Sequence, residues 1–271
     1  MVYYMIRHNN SIFNIGGSIP CLIDLDASKV IEAVRSTGVT ITPAMMHYAH
    51  YLISNMKAIG TWQLCNAVYG FVGGTAASHK WNWKDLRDVD AAFRLTFVGG
   101  VTHSANGMQG NGTTGYANTF YNNPTLKRSL GYYVNTLGNT GVIELDMGSL
   151  TGANGFYLSN RVFNNFIYSS IGTSNAFYVG AVPKGFYNSS VEAGNQFISV
   201  NGSVIGRTAY LVNPSDTNSI TIGSRNADGA IAFFSNKRFG FSYIAGSFFT
   251  ESQSIQQSQI VTNAQNILNR A

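Results

Sequence analysis

Charge is scarce in this chain. Lys, Arg, Asp and Glu together make up 11% of its 271 residues, where about a quarter is ordinary, so amides and hydroxyls must solvate the surface. The 17 basic residues exceed the 12 acidic ones, for a formal net charge of +5, yet Lys127-Arg128 and Lys237-Arg238 are isolated pairs. A nucleic-acid footprint needs its cations gathered on one face; the spacing gathers none, so nucleic acid is not an expected partner. Cysteine is nearly absent: Cys21 and Cys65 stand alone, without the CxxC spacing of a zinc or redox site, and read as reduced core residues. No run approaches 18 apolar residues, which leaves no membrane-spanning helix in the pattern. The first residues, MVYYMIRHNNSIFNIGGSIPC, lack the basic start and continuous apolar run of a secretory signal, so synthesis in a cytoplasm is expected. There is no GxSxG elbow, no P-loop and no Rossmann glycine pattern.

Glycine and asparagine are abundant instead, at 29 and 28 residues. Both adopt positive φ cheaply, so many tight turns between short elements are expected. Aromatic residues, 13% of the chain, carry too much apolar area for a disordered polypeptide. The length suits one large all-β domain with an accessory segment.

The chain divides near residue 90. Residues 1–25 are broken by Gly16-Gly17 and Pro20 and read as an arm. Asp26 is placed to cap a helix from Ala27 to Thr37, with Val30, Ile31 and Val34 on one face and Gly38 in the left-handed position beyond its end. Thr42 caps a second helix with Pro43 as its first residue; Met45, Tyr48, Ala49, Leu52, Ile53, Met56 and Ile59 form its stripe, and Gly60 ends it. His47 and His50 lie three apart on that helix, but no carboxylate or further histidine stands at matching spacing. They read as a helix flank, and no metal is assigned.

After residue 90 apolar residues alternate in short runs. Ala91, Phe93, Leu95 and Phe97 fall on one face of an expected strand, Ala92, Arg94 and Thr96 on the other. Further strands are expected at 116–121, 130–137, 142–147, 155–158, 162–169, 176–182, 185–190, 196–200, 203–211, 219–223 and 230–243. Asn201-Gly202, between two alternating runs, is the strongest hairpin signal in the chain. Thr250 and Gln253 open a closing helix as a capping box, with Ile255, Gln259, Thr262 and Ile267 as its expected stripe. Twelve strands with no helix among them give a mainly β fold, a jelly-roll β-sandwich over 91–271, behind an arm and helical docking segment over 1–90 and followed by a C-terminal helix.

Two resemblances add to this. The order Phe197-Ile198-Ser199-Val200-Asn201-Gly202, then Ser219-Ile220-Thr221-Ile222-Gly223, then Phe239-Gly240-Phe241-Ser242-Tyr243-Ile244-Ala245, then a helix opened by Thr250-Glu251, resembles the last third of laminin-G-like and concanavalin A-like domains. The segments Met56-Lys57-Ala58-Ile59, Phe71-Val72-Gly73-Gly74-Thr75-Ala76, His79-Lys80-Trp81-Asn82, Asp88-Val89-Asp90-Ala91-Ala92-Phe93-Arg94-Leu95 and Thr102-His103-Ser104-Ala105-Asn106-Gly107 look like a series in structural proteins of tailed bacteriophages. That resemblance implies a non-enzymatic virion component (fibre, decoration or tail-associated protein) with other virion proteins as partners and assembly as a homo-oligomer.

The resemblance also directs attention to sugar chemistry. Some retaining glucanases of the concanavalin A-like fold carry Glu, apolar, Asp, apolar, any, Glu on one strand. Val142-Ile143-Glu144-Leu145-Asp146-Met147-Gly148-Ser149 matches its opening, but Ser149 stands where the acid/base Glu belongs. A retaining mechanism needs two carboxyl groups about 5–5.5 Å apart, one of them a proton donor, and a hydroxyl cannot be that donor at neutral pH. Glu144 and Asp146 therefore read as acidic residues on the solvent face of a strand, and no catalytic residue or cofactor is assigned. The alternative to a purely structural role is a lectin-like glycan-binding module, directed at host-surface polysaccharide. Its candidate residues are Trp81 and Trp83, on one side of an extended segment, with Asn82 and Asp85 to grip hydroxyls. Against that stands the reading in which both tryptophans pack the N-terminal helices onto the sandwich. Asp85, Asp88 and Asp90 have the composition of a calcium set but read as turn and cap residues.

Overall fold

The computed structural model describes residues 24–122, 128–138, 142–161, 166–172, 174–180, 183–192, 194–209 and 217–271. The arm expected over 1–25 lies outside them apart from its last two residues, as does Cys21. Cys65 is a buried free thiol.

Helix α1 spans Leu25–Arg35, and its cap is Asp24, not Asp26: the Asp24 side chain accepts from the amides of Asp26 at 2.9 Å and Ala27 at 3.2 Å. Asp26 instead joins Asp24 on the Lys57 ammonium, at 2.7 and 2.8 Å, tying α1 to α2 (Pro43–Ala58). α2 begins as expected, with Thr42 accepting from the Met45 amide at 3.2 Å and Pro43 at the first turn. Two short helices follow that the pattern did not announce, α3 (Thr61–Leu64) and α4 (Ala76–His79). α5 (Glu251–Ile267) closes the chain behind the Thr250/Gln253 capping box. Its buried face is not the expected one: Ser254, Gln257, Ser258, Val261, Ala264 and Gln265 turn inward, and Ile255 is left 44% exposed. The two glutamines on this face are held by specific bonds. Gln257 accepts from the Thr61 hydroxyl at 2.7 Å, and Gln265 donates to the Tyr48 hydroxyl at 3.1 Å and to the Gly240 carbonyl at 3.2 Å. No helix among the described residues is long and apolar enough to cross a membrane.

Among the described residues the strands are β1 (Cys65–Tyr69), β2 (Thr96–Val98), β3 (Thr102–Ser104), β4 (Gly107–Gln109), β5 (Tyr116–Asn118), β6 (Ser129–Val134), β7 (Met147–Thr151), β8 (Asn154–Arg161) and β9 (Phe166–Gly172). Then come β10 (Ser174–Val179), β11 (Gly185–Glu192), β12 (Asn195–Val200), β13 (Ser203–Ala209), β14 (Thr221–Ile222), β15 (Arg225–Ala227), β16 (Ala230–Ala232) and β17 (Arg238–Ala245). One sheet runs β13-β12-β11-β6-β17-β4-β3, with β1 also paired to β17; the other runs β10-β9-β8-β7-β14-β5-β2, with β15 on β7 and β16 on β15. The β15–β7 pairing is parallel and the remaining described pairings are antiparallel. Leu130, Tyr132, Val134 and Ile198 of the first sheet meet Phe156, Leu158, Ile167 and Ile222 of the second in one buried layer. The other side of the first sheet, through Phe186, Phe241 and Tyr243, is covered by α1, α2 and α5. This is the mainly β, two-sheet sandwich with a C-terminal helix that the sequence pattern implied, with a helical layer on one face.

The segment read as a strand over 91–98 is a correction. Asp90–Ala92 form a 3-10 turn, Phe93 takes a left-handed φ of 59°, and only Thr96–Val98 is strand. The cause is a competing set of bonds: the Phe93 amide closes the turn on Asp90 at 2.8 Å, and the Leu95 amide donates to the Lys80 carbonyl at 2.8 Å rather than to a ladder. Leu95 alone of the four expected inward residues is fully buried. The edge of the sandwich does not fall at residue 90 either, since β1 lies ahead of it and pairs with β17. The hairpin at Asn201-Gly202 is present, with φ values of 50° and 83° and Val200 opposite Ser203. Asn201 adds a clamp that its turn role did not require, accepting from the Phe186 amide at 2.8 Å and donating to the Lys184 carbonyl at 3.0 Å.

Candidate functional site

Of the four residues singled out for sugar contact, Trp81, Asn82 and Trp83 are buried and only Asp85 is partly exposed. Trp81 is 8% and Trp83 3% exposed, and both belong to the core between the helices and the first sheet. Trp83 stands edge-on to Tyr48 at 5.8 Å and lies so close to Gly70 that a Cβ there would sit 2.0 Å from its ring. Asn82 is fully buried and fully used: its carbonyl accepts from the amides of Val68 and Lys84, both at 3.0 Å, and its amide donates to the carbonyls of Asn66 at 3.1 Å and Ala92 at 3.0 Å. It serves the edge of β1. Asp85 pairs with Arg87, and Asp88 and Asp90 pair with Lys80 and Arg94, so each of the three acids is held by a basic side chain. His50 is likewise occupied, its Nδ1 accepting from the Asp24 amide at 3.1 Å.

Glu144 and Asp146 depart from expectation in another way. They precede β7 rather than lying on a strand, and neither is on a solvent face: both are fully buried. Lys237, also fully buried, bridges them at 3.1 Å to Glu144 Oε2 and 2.8 Å to Asp146 Oδ1, and donates to the Asn160 carbonyl at 2.7 Å. Asp146 accepts further from the Tyr132 hydroxyl at 2.7 Å, the Asn160 amide at 2.8 Å and the Ser235 hydroxyl at 2.8 Å. Charges are tolerated in an interior when they are paired and hydrogen-bonded, and this cluster meets both conditions. Nothing the size of a sugar reaches it.

The open chemistry lies on the far side of the same segment. Extended chain alternates, so with Glu144 and Asp146 turned inward, Ile143 and Leu145 face the other way. In β8 Phe156 and Leu158 enter the core between the sheets, which turns Tyr157 to the outer face; in β9 Ile167 and Ile171 do the same for Tyr168. The two tyrosine rings stack with centroids 5.5 Å apart. Arg225 of β15 lies over the rings of Phe233 at 4.8 Å and Tyr157 at 5.9 Å. Ile143, Leu145, Tyr157, Tyr168, Arg225 and Phe233 line a cavity of about 240 Å³. Its rim is apolar and open, with Ile143 37% and Phe233 36% exposed. Burial first, then a hydrogen bond with Tyr168, pushes the Tyr157 phenol up, so it remains a neutral donor. Directly across from Tyr168, on the same outer face, stands Phe177 of β10, 63% exposed. The aromatic surface therefore continues from the cavity over three adjacent strands. A concave, mostly apolar site with a few fixed polar groups is the usual form of a small-ligand pocket.

No family model and no curated protein matches the chain. Among solved structures the similarities are partial. Domain 4 of AbnA, a GH43 extracellular arabinanase from Geobacillus stearothermophilus solved with arabinotriose, is similar at a TM-score of 0.50 and 17% identity, over 72% of this chain and 98% of that one. The Ruminococcus gnavus IT-sialidase CBM40 gives a TM-score of 0.40 at 11% identity, over 55% of this chain and 96% of that one. The leech intramolecular trans-sialidase gives 0.38 at 14% identity over 49% of this chain, which spans only 23% of that enzyme. At such identities the likeness establishes a sandwich and no more.

Sequence reasoning missed the cavity for identifiable reasons. Phe156-Tyr157-Leu158 is apolar throughout, so no alternation separates the outward ring from its inward neighbours. Arg225 sits in a polar stretch where nothing marks it, and Phe233 reaches its place through a left-handed φ of 59° that only the folded turn reveals.

Proposed function

We propose that this chain is a glycan-binding module that holds a sugar chain against the outer face of the second sheet without cleaving it. The observation that carries the reading is the cavity framed by Tyr157, Tyr168 and Phe233 and prolonged by the exposed ring of Phe177. Flat rings offer a face to the apolar side of a pyranose or furanose, while Arg225 and the tyrosine hydroxyl supply donors for its oxygens. The fold is shared with an arabinanase domain solved with arabinotriose, which makes neutral pentose chains one ligand class to try. No hydrolytic step is included, because Glu144 and Asp146 are locked on Lys237 out of reach of substrate.

A glycan array followed by calorimetric titration tests the reading. Tyr168→Ala and Phe177→Ala should each weaken binding about tenfold or more, the scale of a lost aromatic contact. An array without signal, or binding indifferent to both changes, sinks it. The virion placement and self-association implied by resemblance enter here as a proposal about where the module works, with a host-surface polysaccharide as its target. Mass spectrometry of purified particles and sedimentation of the purified chain decide that part.

A further inference from the structure

Resting on the glycan reading, we propose that the sugar taken by this cavity is acidic, carrying a carboxylate or sulfate oxyanion that docks on Arg225. Six other arginines among the described residues show what this chain does with a guanidinium it needs only for structure. Arg35, Arg87, Arg94 and Arg207 each pair with a carboxylate, Arg238 donates to Gln109, and Arg270 donates to the backbone carbonyls of Phe71, Ala105 and Gly240. Arg225 has no such partner: its Nε is buried without a hydrogen bond, and no acidic side chain lines the cavity.

What holds Arg225 is the pair of rings beside it, Phe233 at 4.8 Å and Tyr157 at 5.9 Å. A cation–π contact engages the charge and uses none of the N–H donors. The side chain is thus kept in place with its fork unspent, beside a cavity walled by Ile143, Leu145 and aromatic carbon. A planar five-donor cation matches an oxyanion in charge and in geometry, whereas a neutral hydroxyl answers only part of it. The apolar wall strengthens that attraction by keeping water back. Phe177, across from Tyr168 and two strands from Tyr157, lies roughly 10 Å along the sheet by the usual strand spacing, so the residue next to the acidic one has a ring to rest on. The ligand is accordingly a chain with an acidic unit in the cavity, not an isolated anion.

The test uses matched probes on the full chain: lactose against 3′-sialyllactose, oligogalacturonate against its methyl ester, and a sulfated against an unsulfated galactan oligosaccharide. Wild type, Arg225→Gln, Arg225→Lys and Phe177→Ala are titrated by calorimetry, with thermal melts to establish that each variant is folded. The acidic member of at least one pair should bind more tightly than its neutral partner by about 10- to 100-fold, the worth of hydrogen bonds to a charged group. Arg225→Gln should erase that preference and Arg225→Lys keep part of it, while Phe177→Ala should weaken the chain without changing the preference. A preference in the first two pairs identifies a carboxylate, and one confined to the third identifies a sulfate. Neutral and acidic partners bound alike, with Arg225→Gln indifferent, overturn the acidic ligand and leave the glycan module standing. Silence from every probe overturns the acidic ligand, and titration with arabinotriose, a neutral pentose chain, then decides separately whether the glycan module stands.

Discussion

Replacing Lys237 by Met keeps the volume of the side chain and deletes one buried positive charge. The ammonium it removes lies 2.8 Å from Asp146, 3.1 Å from Glu144 and 2.7 Å from the Asn160 carbonyl, with no solvent exposure. Asp146 retains the Tyr132, Asn160 and Ser235 donors, but both carboxylates lose the cation they share. Breaking a buried pair by removing one member costs about 3–5 kcal/mol, which for a chain of this size is a fall in Tm of about 6–20 °C. Urea melts should show a lower midpoint at unchanged slope. Adding Asp146→Asn to Lys237→Met should cost less than the sum of the two single changes, with a coupling of about 0.5–3 kcal/mol. Because Ile143 and Leu145 of the cavity alternate with Glu144 and Asp146 of the cluster, Lys237→Met should also weaken ligand binding. A stability loss under about 1 kcal/mol would refute the idea that these three charges form one desolvated unit.

The pair His79 and His103 sets a pH dependence. His79 Nε2 accepts from the Gly74 amide at 3.1 Å, so its proton is on Nδ1 and points at His103 Nδ1, 3.0 Å away, which must accept it. Burial first, then the His103 and Arg270 charges, holds His79 well below the ordinary 6.5, and burial lowers His103 as well. Folded-state values below the unfolded ones mean that the unfolded chain takes up more protons, so this contribution is complete above pH 6.5 and is lost as the pH falls below it. Urea midpoints at pH 7.5 and pH 5.5 should differ in that direction, and His103→Leu should flatten the slope; a midpoint indifferent to pH counts against the neutral pair. Gly70→Ala places a methyl group 2.0 Å from the Trp83 ring and should destabilise by about 1–3 kcal/mol through overpacking, while glycan binding by the folded fraction stays as it was; thermal melts and titration read the two effects separately.

Much of the fold was legible because it rests on local patterns. Thr42-Pro43, Thr250 with Gln253, and Asn201-Gly202 act within a few residues, and all three sit where their chemistry placed them. The failures share a cause as well. Asp24 rather than Asp26 became the cap because the helix begins earlier than expected, at Leu25, and both carboxylates then meet on Lys57, a residue of α2. The run 91–98 alternates like a strand, yet Lys80, from a distant turn, took the Leu95 amide. Trp81 and Trp83 have the composition of a sugar platform, and only the approach of α2 and β1 turned them into core.

By itself, then, the sequence determined where turns, caps and alternating runs lie, and with them a two-sheet sandwich closed by a helix, since each of those signals is settled by neighbours along the chain. Which face each strand shows to water was decided by tertiary structure, as were the burial of Glu144 and Asp146 around Lys237 and the meeting of Tyr157, Tyr168, Arg225 and Phe233 in one cavity. Those residues come from four separate stretches of chain, and only the register between strands brings them together.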